Sequence, residues 1–169
     1  MTSKGNRTPG RLLGLDVGDK RIGVAVSDPL GILATPLTII YHTNWRQDIE
    51  RVLAIAHQEN VVGIVVGVPY YLDGTPSPQT HKVLRFIKRL RDRTPLPVFE
   101  WDETLSTEEA EARLRAAGRR RRQEAVDAHA AAVILQEFLE AHRPPPTGRN
   151  MPPKPELTRA SGENNDEKT

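Results

Sequence analysis

Two short apolar segments near the start of the chain, residues 11–17 and 21–28, constrain the fold most strongly. Only three residues, 18–20, separate them, and this spacing predicts an antiparallel β-hairpin. The first segment contains a carboxylate, Asp16, which shares a strand face with Leu12 and Gly14. Because a buried charge is costly unless it is paired, protonated or bound to a cation, Asp16 is the first candidate functional residue.

The remaining pattern predicts an α/β domain. A third strand is expected at 36–41, and Asn44 is placed to cap a helix that follows it. The unbroken apolar run 61–68 is typical of a strand covered on both faces, and another strand is expected at 96–101. Three strands with short connections, followed by strands that alternate with helices, indicate a mixed sheet. The other predicted helices lie after residue 79, at about 106–118 and at 123–142.

Length and composition predict one domain between two polar tails. We expect residues 1–10 to be a mobile basic arm, 11–142 to form the domain, and the Pro-rich, polar residues 143–169 to be disordered. No signal peptide and no apolar run of about 20 residues is present, so we expect a cytoplasmic protein without membrane contact. The absence of cysteine excludes disulfides and thiolate metal ligands.

Three carboxylates are predicted to approach the same edge of this sheet. Asp16 belongs to the first strand, Glu103 follows the strand at 96–101, and Asp127 begins the apolar stripe of the last helix. Oxygen ligands of this type hold Mg²⁺ or Mn²⁺, and two such ions about 4 Å apart serve phosphodiester hydrolysis. The spacing therefore favours a site for a hard divalent cation over a zinc site.

Basic side chains support a second interpretation of these acids. Lys20 and Arg21 lie at the hairpin turn, and a second basic cluster lies within residues 82–93. Lys20 and Arg21 either form structural ion pairs with the acids or contact the phosphates of a polyanion, whereas the cluster within 82–93 is either a solvated helix face or a contact for the polyanion. A further unbroken run offers the same two roles as Lys20 and Arg21: Arg119, Arg120, Arg121 and Arg122.

Four segments, in order, resemble the motifs of the YqgF family, also known as Holliday junction resolvase-like proteins or pre-16S ribosomal RNA nucleases. The segments are 13–28, 66–74, 102–110 and 126–135. Two residues depart from the family's pattern: Tyr71 stands where Asn is usual, and Thr104 stands where Arg is usual. The opening motif also resembles the first phosphate loop of actin-like ATPases, but no second phosphate loop follows.

The resemblance implies a ribonuclease H-like fold, with a five-stranded mixed sheet flanked by helices. It implies a hydrolase that cleaves nucleic acid with Mg²⁺ or Mn²⁺ bound by Asp16, Glu103 and Asp127. It also implies processing of the 5′ end of pre-16S rRNA during ribosome biogenesis, so an RNA precursor is favoured over a four-way DNA junction. A Holliday junction resolvase and a non-catalytic RNA-binding module are the alternatives. Tyr71 is a candidate for stacking on an unpaired base, and both a monomer and a homodimer are compatible with the sequence.

Overall fold

The computed structural model describes residues 10–104 and 120–143, and in the last helix it describes side chains from Val126 onward. Five strands and three helices make up this part of the chain. In order they are β1 (Leu12–Val17), β2 (Arg21–Ser27), β3 (Ala34–Tyr41), α1 (Trp45–Gln58), β4 (Gly63–Tyr70), α2 (Pro78–Arg93), β5 (Val98–Thr104) and α3 (Arg120–Ala141).

The strands form one mixed sheet in the order β3-β2-β1-β4-β5. β1, β2 and β3 pair antiparallel, whereas β4 pairs parallel with both β1 and β5. The predicted hairpin is confirmed, and its turn is closed by the Gly18 N–H, which donates to the Arg21 carbonyl oxygen at 2.8 Å. The predicted five-stranded mixed sheet is therefore confirmed.

The two faces of the sheet are covered by different helices. α1 and α2 cover one face, where Leu13 and Leu15 of β1 pack into the larger apolar core. α3 covers the other face, where Leu12 packs with Ile134 and Leu135 of the helix. Because side chains alternate along a strand, Asp16 projects to the α3 face, as Leu12 does.

Several predicted boundaries are wrong by two or three residues. β4 begins at Gly63, because the Val61 N–H still donates to the Ala56 carbonyl at the end of α1. β5 runs from Val98 to Thr104, so Glu103 lies inside the strand and does not follow it. β3 begins at residue 34 and α3 at residue 120, both earlier than predicted.

Three sequence predictions fall on residues outside the described ranges. They are the arm over 1–9, the helix at 106–118 and the tail from residue 144 onward. Among the helices that are described, none is long and apolar enough to cross a membrane.

Candidate functional site

Glycines on three adjacent strands let α3 lie close against the sheet. A Cβ atom at Gly14 of β1 would lie 2.7 Å from the Leu135 Cβ, and one at Gly67 of β4 would lie 2.6 Å from Ile134 Cδ1. The closest approach is at Gly23 of β2, where a Cβ would lie 2.0 Å from the Asp127 carbonyl oxygen. Glycine within a strand is typical of such close packing, and here it fixes where α3 crosses the sheet.

Asp16 lies between two of these glycines. It pairs directly with Gly23 across the β1–β2 ladder. On its other side Leu15 pairs with Val66, so the next residue of β4, Gly67, is the neighbour of Asp16. These three residues, one on each of β2, β1 and β4, are called the Gly23–Asp16–Gly67 row below. The carboxylate of Asp16 therefore projects toward α3 with no side chain on either flanking strand position.

The carboxylate of Glu103 reaches over one end of this row. Its Oε2 lies 3.3 Å from the position that a Cβ of Gly67 would occupy. Glu103 is paired with Pro69. It lies two residues after Trp101, so the two side chains share a face, and the Trp101 ring packs against Phe138 of α3. Glu103 thus projects to the same face of the sheet as Asp16.

Its neighbour Asp102 projects to the opposite face. Tyr70 packs against the core under α1 and α2. Burial is the main cause that raises the pKa of Tyr70, and the carboxylates of Asp102 and Glu100 raise it further. Glu100 also forms an ion pair with Arg91 of α2. Of the two adjacent acids at the end of β5, only Glu103 therefore lies on the face of Asp16.

Asp127 lies over the other end of the row. The contact between its carbonyl oxygen and Gly23 places the backbone of α3 directly on β2. The Asp127 carboxylate is paired with Arg21, with 3.0 Å between Nε and Oδ2, and the two side chains are 13% and 25% exposed, Arg21 first. The predicted alternative of a structural ion pair is therefore realised for Asp127.

The arrangement brings carboxylates from β1, β5 and α3 to one face of the sheet, around a single row. All the donors are oxygens, which is the chemistry preferred by Mg²⁺ and Mn²⁺. Among the side chains of residues 10–104 and 126–143, no group of three or more His, Asp or Glu is close enough to hold a metal ion as it stands. The donor set fits a hard cation, and one of its carboxylates, that of Asp127, is paired with Arg21.

The other predicted site residues have mixed positions. Lys20 is exposed at the hairpin turn, beside Arg21. Tyr71 is 49% exposed in the loop after β4, where its N–H donates to the Thr75 carbonyl at 3.0 Å. Arg119 lies outside the described residues. The backbones of Arg120, Arg121 and Arg122 begin α3, and their side chains are not described.

Sequence reasoning missed the role of the glycines in the row. Gly23 and Gly67 are single glycines inside strand segments, and that signal indicates close approach of another backbone or a ligand. It also missed that Lys82 of α2 donates to Asp19 in the turn after β1, at 3.1 Å. Such a contact between residues far apart in the chain has no local sequence signal.

Comparison with known proteins identifies the family of this chain. A family model described as RuvX: Holliday junction resolvase matches residues 10–141. The chain belongs to the RuvX family. RuvX and YqgF denote the same family, so the resemblance carried by the four motifs is confirmed, and with it the prediction of a nuclease.

This chain matches curated relatives over nearly the whole length of those relatives. A protein of Syntrophus aciditrophicus is 46% identical over 78% of this chain and 89% of its own. One of Desulforudis audaxviator is 44% identical over 83% of this chain and 99% of its own. Both carry the name "Putative pre-16S rRNA nuclease".

Among solved structures, this RuvX chain is similar to Thermus thermophilus RuvC in complex with a Holliday junction substrate. The match has a TM-score of 0.50 at 16% identity, and it covers 78% of this chain and 94% of that one. At this level of identity the likeness concerns the fold, and it confirms the ribonuclease H-like architecture.

Proposed function

We propose that this RuvX protein hydrolyses phosphodiester bonds in the precursor of small-subunit ribosomal RNA, with Asp16, Glu103 and Asp127 as ligands of Mg²⁺ or Mn²⁺. The observation that carries the proposal is the Gly23–Asp16–Gly67 row, which exposes one carboxylate between two glycines and has the other two acids above its ends. The names of the curated relatives support the substrate.

The three acids differ in what they do. Asp16 is fixed by the β1–β2 ladder, so it provides the stationary ligand. Glu103 has a longer side chain that reaches across Gly67, and it would hold the ion from the β5 side of the row. A divalent cation held by these residues would activate water and would stabilise the charge that develops on the phosphate.

Arg21 links cation binding to substrate binding. Its Nε pairs with Oδ2 of the Asp127 carboxylate at 3.0 Å, so Arg21 and a cation would compete for this carboxylate. A guanidinium set free in this way is suited to bind a phosphate through two parallel hydrogen bonds. Arg21 and the exposed Lys20 beside it are therefore proposed as phosphate contacts, and Tyr71 as a stacking platform for an unpaired base.

The description of the family favours one second candidate, cleavage of a four-way DNA junction. A resolvase acts symmetrically on two strands, and such an activity needs two sites presented by a C₂ dimer. A single-site monomer suits the RNA precursor better.

A cleavage panel tests the proposal. The substrates are a ribosomal RNA precursor fragment that carries its 5′ leader, a single-stranded RNA, and a four-way DNA junction, each with Mg²⁺, Mn²⁺ or EDTA. We expect site-specific cleavage of the precursor by the wild type with either cation. Asp16→Asn and Glu103→Gln are expected to lose this cleavage and to keep RNA binding in EDTA.

Asp102→Asn is the matched control, because it neutralises the acid next to Glu103 on the opposite face of the sheet. It is expected to cleave like the wild type. Cleavage of the junction alone would assign the protein to the resolvase class. A wild type that cleaves nothing with either cation would leave only an RNA-binding module and refute the proposed hydrolysis.

A further inference from the structure

α2 carries a line of basic side chains that the proposed active site does not use. Four residues at spacings of three, four and four fall on one side of the helix: Lys82, Arg85, Arg89 and Arg93. At 1.5 Å per residue the line is about 16 Å long, which corresponds to about five phosphate spacings of a stacked strand. The helix contains one acid, Asp92, about 100° around the axis from Arg93. These four residues are called the basic stripe below.

One end of the stripe surrounds an aromatic ring of α1. The Arg89 guanidinium carbon lies 4.4 Å from the centre of the Trp45 ring, and that of Arg93 lies 5.6 Å from it. Arg46 adds a third guanidinium at 5.5 Å. The π-electrons of one ring thus hold three positive charges close together. The ring and its three arginines are called the Trp45 cluster below.

No carboxylate neutralises this group in the part of the chain that the structure describes. None of the three arginines takes part in an ion pair there, although Glu50 lies one turn along α1 from Arg46. Three like charges around one ring repel each other, and an anion bound between them removes this repulsion. A polyanion with regularly spaced phosphates would neutralise the charges of both the cluster and the rest of the stripe.

The other end of the stripe lies at the edge of the sheet where the carboxylates are found. Lys82 is paired with Asp19 in the turn that follows β1. One turn earlier on α2, the Gln79 side chain donates to the carbonyl of Val17, the residue after Asp16, at 3.0 Å. The stripe therefore starts next to the proposed active site and leads away from it over the face opposite α3.

We infer that the basic stripe and the Trp45 cluster form a second nucleic-acid contact, which binds the phosphate backbone of the strand that flanks the cleavage site. The inference rests on the proposed function insofar as the bound strand is the substrate. The contact recognises phosphates and no base edges, so it accepts RNA and DNA strands alike.

Binding measured without cleavage tests this inference. The probes are a labelled 30-nucleotide RNA and a DNA of the same sequence, titrated with the full chain in EDTA at several KCl concentrations. Single-strand contacts contribute about 0.7 each to the slope of log affinity against log salt. Arg89→Gln/Arg93→Gln should therefore reduce that slope by about 1.4 and weaken binding about 25-fold at 0.1 M salt.

Lys88→Gln/Arg143→Gln removes the same charge from exposed residues outside the stripe and is the matched control. It should keep the wild-type slope. Lys82→Gln/Arg85→Gln removes the other half of the stripe and should repeat the loss, which guards against a local folding defect in the first variant. Wild-type slopes in both stripe variants, or an equal loss in the control, would overturn the inference.

These outcomes are independent of the hydrolysis test. A wild type that binds through the stripe but cleaves no substrate would refute the proposed hydrolysis and leave the second contact standing. Cleavage that persists with unchanged binding in the stripe variants would do the reverse.

Discussion

Replacement of Gly23 by alanine gives the sharpest test of how the candidate site is built. The new Cβ would lie 2.0 Å from the carbonyl oxygen and 2.6 Å from the carbonyl carbon of Asp127. Both atoms belong to the backbone of a helix, so no side-chain rotation relieves the overlap. To reach an ordinary van der Waals distance of 3.4 Å, the start of α3 would have to withdraw by about 1.4 Å.

The cost of this withdrawal follows from what α3 buries. Ala131, Ile134 and Leu135 are 0% exposed against the sheet, and a gap of 0.5–1 Å already removes a quarter to a half of each contact's attraction. We expect Gly23→Ala to lower the free energy of unfolding by about 3 kcal/mol, at the upper end for overpacked cores. Because Asp127 moves with the helix, cleavage by the remaining folded protein should fall about 100-fold.

Gly63→Ala is the matched control, since Gly63 is also a strand glycine but faces the ends of flexible side chains. Its Cβ would lie 3.0 Å from Leu12 Cδ2 and 3.2 Å from Phe99 Cε2. We expect a loss of about 1 kcal/mol or less and wild-type cleavage. Urea unfolding and cleavage of the RNA precursor are measured for both variants. Equal unfolding energies and equal cleavage rates would refute the steric reasoning.

Two further predictions concern pH and the cation. The Oδ1 of Asp28 accepts the N–H groups of Leu33 at 2.8 Å and Ile32 at 2.7 Å, and these bonds, chiefly that of Leu33, hold the pKa of Asp28 below 3.8. A carboxyl whose pKa is lowered in the folded state stabilises the fold above the pKa of the unfolded state, and this stabilisation is lost as the pH falls through the folded-state pKa. In urea unfolding, the stability advantage of the wild type over Asp28→Asn should therefore be present at pH 6 and shrink at pH 3. A pH-independent difference would contradict this. On the proposed function, Mn²⁺ at 100 times its Kd should add about 2.7 kcal/mol to the stability of the wild type. This gain, followed as the thermal midpoint, should disappear in EDTA and in Asp16→Asn, and a gain retained in that variant would place the cation elsewhere.

Much of the fold follows from local sequence patterns. The hairpin was predictable because three turn residues separate two apolar segments, and α1 because Asn44 accepts the N–H of Gln47 as a cap, at 3.0 Å. The unbroken apolar run after α1 correctly predicted a central strand, although its limits were shifted by two residues. These features are decided by interactions within a few residues, which a sequence displays directly.

The candidate site was only partly predictable. The sequence indicated which acids reach one edge, but not that Asp102 and Glu103 project to opposite faces, because this depends on whether β5 continues past Trp101. It left open whether Arg21 pairs with an acid or awaits a phosphate, since ion pairs between distant residues depend on tertiary packing. The Trp45 cluster was invisible for the same reason: Trp45 and Arg89 lie on separate helices.

The direct pairing of Asp16 with Gly23 has a consequence for how the protein reaches its native state. Side chains alternate faces along a strand, so a slip of one residue in the β1–β2 ladder would bring a side chain in place of Gly23 opposite Asp16. In that misaligned hairpin, Ile22 or Val24 would occupy the position of Gly23, and its side chain would clash with the backbone of α3. Docking of α3 therefore requires the correct strand alignment, and a chain that has folded with α3 in place also has Asp16 and Asp127 on the same face of the sheet.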